Sequence, residues 1–289
     1  MEIWILLNPI IRFLLYIAIF GSVGTLVFIF HFYRLLTPLQ LSYCSSTSQK
    51  FTKVGVLVSF ISILSIPGNM SGDLIGIIDI NMVNLSIDTL ALKASLLLFI
   101  GFILIYFLPI HFKKIFFIGN TLAISIILFS FIVIGHSTKG GILTQSLVTI
   151  HLIGLSYWIG SLLPLKKMCN IADFKELKTI SHSFGNYAVF YILALLIAGS
   201  IFSFILIGDI SNLFNTIYGN VLMIKIFFAM LLISLGALNK LFLVPRLDIN
   251  NATTIIKLKR SINAEMIIVL IIFFLTSLLT TSLTLPMSD

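Results

Sequence analysis

Residues 151–165 read HLIGLSYWIGSLLPL, an apolar stretch that carries an ionisable imidazole, His151, and an indole, Trp158. Their spacing is close to two helical turns, so a helix puts both on one face, about 10 Å apart along the axis. A titratable group inside an apolar segment is costly in lipid. It therefore faces a bundle interior or a water-filled cavity, where it is a functional candidate by default. Neutral imidazole is the commonest side-chain metal ligand, and His136, just before Ser137-Thr138-Lys139-Gly140-Gly141, supplies a second one. Each residue also has a plainer reading. His151 reads equally well as an imidazole hydrogen-bonded to a neighbouring helix, His136 as a solvated loop residue, and Trp158 as packing.

Methionines extend the metal reading. Met70, Met82, Met223 and Met287 fall at or near the same ends of the expected helices as His136. Thioether with imidazole suits Cu(I), whereas hard cations want clustered carboxylates or carbonyls. Met70 is the thioether placed with the two histidines; most methionines in so apolar a chain serve packing. Lys225, within YGNVLMIKIFF, must snorkel, pair or line a cavity, with Asp73 and Asp209 as available partners. Glu265 has Lys240, Lys259 and Arg260 near it in sequence or depth, which predicts an interfacial ion pair ahead of a transport role. His31, His111 and His182 sit among lysines and read as surface.

The elements that position these residues follow from composition. The 289 residues are 59% hydrophobic and 10% charged, with a mean hydropathy of +1.15, which a soluble domain of this size does not tolerate. Several apolar runs approach the roughly 20 residues that cross a bilayer as a helix. No ten-residue alternation of an outer-membrane barrel is evident. The chain is predicted to be an all-α integral membrane protein with about eight spans, near 10–31, 53–68, 90–110, 115–135, 145–165, 185–208, 219–241 and 263–284. The second run is short and ends at Pro67-Gly68-Asn69, and Pro164 is expected to end or bend the fifth. The whole of 1–289 is expected to form one polytopic domain, with the first helix a retained span rather than a cleaved signal.

Residues 69–89 are too polar to span and are expected to form an ordered interfacial cap. Asp73 is placed to cap a short helix starting at Leu74, and Ile80 to Asp88 alternates apolar and polar residues. This acidic cap is read either as a docking surface or as an ordinary solvated loop. Arg34, Lys50 and Lys53, then Lys113 and Lys114, then Lys166, Lys167, Lys175 and Lys178, then Lys240, Arg246, Lys257, Lys259 and Arg260 follow the odd-numbered spans. The alternate loops hold Lys139 as their clear basic residue. This bias predicts that both termini face away from the cytoplasm. It also accounts for the net charge of +8 without nucleic acid. No phosphate-binding G-x-x-x-x-G-K-[ST] loop occurs, and no predicted loop is long enough to hold a folded catalytic domain, so an enzyme is not expected. Cys44 and Cys169 have no C-x-x-C partner and point to neither a disulfide nor a thiolate site. Gly21, Gly24, Gly154 and Gly160 allow close helix approach within one chain or between chains.

Against this background GHSTKGGILTQSLVTIHLIGLSYWIGSLLPL resembles the CopD (copper resistance D) family, in which a G-H pair precedes a helix of the form H-x6-W-x-G-G-L-x-x-L. TIYGNVLMIKIFFAMLLISLGALNKLFLVPRL is similar to that family's T-x-Y-G-x-x-L-x-x-K segment running into G-A-x-N-R and V-P-R-L. KRSINAE with the apolar run to Pro286 is similar to its last helix. The resemblance covers about residues 119–286. Ser161 stands where a second glycine is usual, Lys240 where arginine is common, and SHSFGNYA lacks the usual arginine and serine around Phe184.

The resemblance implies an inner-membrane protein that moves copper across the cytoplasmic membrane, often with a periplasmic CopC-like copper-binding protein as partner. Joined to the imidazole and thioether reading above, it makes His136 and His151 the expected metal ligands, with Met70 beside them. Trp158, Gly160, Tyr218, Lys225, Asn239 and Glu265 take pathway or structural roles. Two other readings stay open: a membrane cytochrome with haem between histidines, which a Soret band would mark, and a copper-binding sensor or assembly factor that moves no metal.

Overall fold

The computed structural model describes residues 2–108, 113–138, 140–247 and 252–285, and all its long elements are helices. His111, Lys139, Pro286 and Met287 lie outside the described residues. Eight helices are long and apolar enough to cross a membrane, as the apolar run lengths predict. They are α1 (Glu2–Phe32), α2 (Pro38–Ser71), α4 (Leu90–Phe107), α5 (Lys113–Ile132), α6 (Gly141–Ile171), α7 (Phe174–Ile207), α9 (Ile217–Leu238) and α10 (Ala252–Thr281). Short helices α3 (Ile80–Ile87) and α8 (Asn212–Asn215) lie in connections at one end.

The helix α1 is the centre of the bundle, packing on α2, α6 and α10, while α7 covers α6, α4 bridges α2 and α5, and α9 leans on α10. In α1 72% of the spanning window is buried, against 11% in α9, so α1 is interior and α9 peripheral. Close approach at the α1–α6 crossing comes from Gly24 and Gly160. A Cβ on Gly160 would fall on the Gly24 Cα, so the two backbones touch with no room for a side chain. Gly154 similarly admits Leu195 and the Tyr191 carbonyl of α7. These glycines therefore serve contacts within the chain.

Five spans, α1, α2, α6, α7 and α10, are longer than the apolar runs indicate. Helix α2 begins at Pro38 rather than near residue 53, capped by Thr37, whose Oγ1 accepts from the Gln40 N–H. Its first half is polar in composition yet faces protein. Ser22 and Thr52 hydroxyls share a 2.6 Å hydrogen bond, and the Ser48 hydroxyl donates to the Ser22 carbonyl. Pro67 does not stop α2, which runs to Ser71 and ends at Gly72 with φ 85°. Pro164 likewise neither ends α6 nor closes the stretch near it, since the helix continues to Ile171.

Residues 69–89 contain two short helical elements. Asp73 Oδ1 accepts from the Gly76 N–H at 2.9 Å and caps a 3-10 turn at Ile75–Ile77. The alternation from Ile80 to Asp88 is not a strand: Asp79 caps α3 through the Asn81 N–H. Ile78, Ile80 and Leu85 are exposed there, as suits a segment lying in a membrane interface. The start of α1 lies at this same end, because the Trp4 indole donates to the Asp73 carbonyl and Asn8 and Asn69 pair through their amides.

Candidate functional site

A cavity of about 510 Å³ opens among the eight long helices, each of which contributes to its wall. Its cap-end wall includes Asn69 and Gly135, the chain neighbours of Met70 and His136; deeper it is lined by His151, Trp158, Tyr218 and Lys225. His151, Trp158, Tyr218 and Lys225 thus share one wall. Met70 is at the cap-end terminus of α2 and 43% exposed. The backbone of His136 forms part of the 3-10 turn Gly135–Thr138, and its side chain lies outside the described residues.

His151 is held by α7. Its Nδ1 lies 3.1 Å from the Leu195 carbonyl oxygen. Because a carbonyl can only accept, Nδ1 carries the proton and Nε2 keeps its lone pair. A backbone carbonyl holding one ring nitrogen while the other is left basic is the arrangement that orients metal-ligating histidines. Gly199 makes this seat possible: a Cβ there would come within 2.9 Å of both Nδ1 and Cε1 of His151. Gly199→Ala should therefore tilt the ring and break the Leu195 bond. The expected outcome is loss of the Nδ1–H tautomer preference, read from the imidazole nitrogen chemical shifts, with little change in thermal stability.

His31 differs from His151 in that both of its ring nitrogens are engaged, by the Val27 carbonyl and by the Tyr191 hydroxyl at 2.9 Å, and it stands edge-on to Tyr157. It has no nitrogen left for an axial haem bond. His182 is exposed beside the Asn186 amide.

Glu265 is where expectation and structure part. The predicted ion pair with Lys240, Lys259 or Arg260 is not formed among the described residues. Lys240 Nζ donates to the Gly185 carbonyl and Lys259 Nζ to Asn170 Oδ1. Glu265 turns inward instead, only 2% exposed, and accepts from the Asn239 amide, with the Trp158 indole beside it. Asn239 reaches it from a π-helical turn, Asn239–Leu243, closed by the Val244 N–H on the Asn239 carbonyl. Such turns shift register by one residue and often mark functional positions. Trp158 thus stands between the cavity and Glu265.

Lys225 does not depend on the expected loop carboxylates. Asp73 is held by the Gly76 N–H and the Ser71 hydroxyl, which keep it below the usual carboxylate range. Asp209 is held down in the same way by the Ser211 N–H. Lys225 instead shares the cavity wall with His151. Arg12, absent from the sequence candidates, lines the same cavity. It lies inside the first apolar run, so the rule that singles out His151 and Lys225 applies to it equally.

Among the described residues, no three His, Cys, Asp or Glu side chains converge into a closed metal cage. The protein-family model of CopD, copper resistance protein D, matches residues 178–279, a segment that includes Tyr218, Lys225, Asn239 and Glu265. No curated protein and no solved structure matches the chain.

Proposed function

We propose, from the match of the CopD copper-resistance family model to residues 178–279, that the chain is a CopD-type protein that carries copper inward across the bacterial inner membrane. Eight apolar helices make it a multi-pass membrane protein, and its family role is copper handling. In this reading copper reaches the cap end, passes among the His136 and Met70 positions, and is taken by His151 Nε2 before moving past Trp158. The observation that carries the reading is the seating of His151: protonated at Nδ1 by its bond to Leu195, basic at Nε2, and on the wall of a cavity that begins at the cap end.

Few ligands at each stage suit transport, because a closed four-ligand cage retains its ion while an open series of weak stations releases it. The positive-inside pattern supports a periplasmic cap, and in this reading a CopC-like copper-binding protein would deliver the metal there. Radioactive copper supplied with ascorbate to proteoliposomes of the purified protein tests the reading. Time-dependent accumulation inside the vesicles is expected. Stoichiometric binding without accumulation would instead identify a copper-binding sensor or assembly factor.

A further inference from the structure

The cavity is basic in a way that a bare cation does not explain. Arg12, His151 and Lys225 all line it, and the described lining residues include no aspartate or glutamate. Counting along the helices, His151 lies about 15 Å from the start of α6 and Lys225 about 12 Å from the start of α9, so these groups sit at membrane depth. The neighbouring carboxylates are committed elsewhere, Asp73 and Asp209 to their own turns and Glu265 to Asn239 and Trp158. The Arg12 guanidinium rests over the rings of Phe131 at 5.1 Å and Tyr16 at 5.7 Å, while its buried Nε makes no hydrogen bond among the described residues. The remaining wall is largely apolar, with Leu15, Phe20, Leu155, Leu222 and Phe273. Its volume of about 510 Å³ falls in the range of small-molecule pockets and far exceeds a metal ion.

Cations at this depth are stabilised by an anion or by water, and an apolar wall beside them selects for an anion with an apolar body. We propose that the cavity binds an organic anion of this kind, a carboxylate- or phosphate-headed amphiphile, with its headgroup on Arg12 and Lys225 and its chain along the leucine and phenylalanine wall. Two sources share this chemistry: a single-chain fatty acid and an anionic phospholipid drawn from the bilayer.

Trp158 reports on the site directly, because the sequence has two tryptophans and Trp4 lies at the cap. Metal-free protein carrying Trp4→Phe, in phosphatidylcholine nanodiscs, is titrated with 9,10-dibromostearate, whose bromines quench indole on contact. Saturable quenching is expected, with at least tenfold weaker apparent affinity in the Arg12→Gln/Lys225→Gln protein and near-native affinity in Arg12→Lys. The methyl ester, neutral but equally apolar, should quench only in proportion to its partitioning.

Nanodiscs containing brominated phosphatidylglycerol or brominated phosphatidylcholine separate the sources: excess quenching by the former identifies a bilayer lipid, and saturation by the free acid alone identifies a single-chain anion. Equal, unsaturable quenching by acid, ester and both lipids would overturn the proposal. Comparing acid with ester requires no Arg12 or Lys225 variant, and binding of radiolabelled stearate to the wild-type protein repeats the measurement without Trp4→Phe. Since all arms are metal-free, the outcome is independent of copper transport.

Discussion

Gly160→Val should cost the protein its folded bundle, whereas Gly185→Ala should leave it intact. At Gly160 the obstacle is the backbone of Gly24 on α1, because any Cβ would land on the Gly24 Cα, and Gly24 in turn faces Gly160 and the Ser156 carbonyl. Backbone cannot rotate away as a side chain can, so α1 and α6 would have to separate along the crossing that centres the bundle. Overpacking of a close-packed interior costs about 1–3 kcal/mol where side chains yield, and here the yielding group is a whole helix. At Gly185 the nearest atom is Lys240 Cγ at 3.3 Å, the middle of a flexible side chain. Size-exclusion profiles and thermal unfolding in detergent should show the Gly160→Val protein aggregated or melting many degrees lower, with the Gly185→Ala protein near native. A native profile and melting point for Gly160→Val would mean that α1 and α6 do not cross here.

Such crossings are legible in the sequence only as a set of small residues, while the spans themselves are legible as apolar lengths. Hydropathy measures transfer from water to lipid, and it succeeds for α4, α5 and α9, whose faces meet lipid. It fails for the first half of α2, where Gln40, Cys44, Thr47, Ser48 and Thr52 are buried against protein and have hydrogen-bond partners or packing there. The proline positions fail for a related reason. Pro67 and Pro164 signal helix ends in the sequence, but within a bundle both helices run on through their prolines.

Site residues divide along the same line. His151, Lys225 and Trp158, which share the cavity wall, stand out in one dimension as ionisable or polar-tipped side chains in apolar runs. The environment of Glu265 is not, because proximity in sequence favours lysines that project elsewhere, and its actual partners come from a π turn and from α6. No linear spacing encodes that meeting.

His151→Ala should lower copper accumulation by about tenfold or more while insertion and thermal stability stay close to native. The side chain is half-buried and its hydrogen bond to protein is with the Leu195 carbonyl, which lies in a helix. That carbonyl keeps its helical partner when the imidazole is lost, so the structural cost is small. What disappears is the basic Nε2 on the cavity wall. His151→Met restores a soft donor near the same place and should recover part of Cu(I) uptake, whereas His151→Gln, which can still bond Leu195, should not. That contrast separates a ligand from a helix-helix tether, because a tether would be rescued by Gln and not by Met. Full accumulation in His151→Ala would remove this histidine from the copper route, and rescue by Gln alone would make it a structural residue.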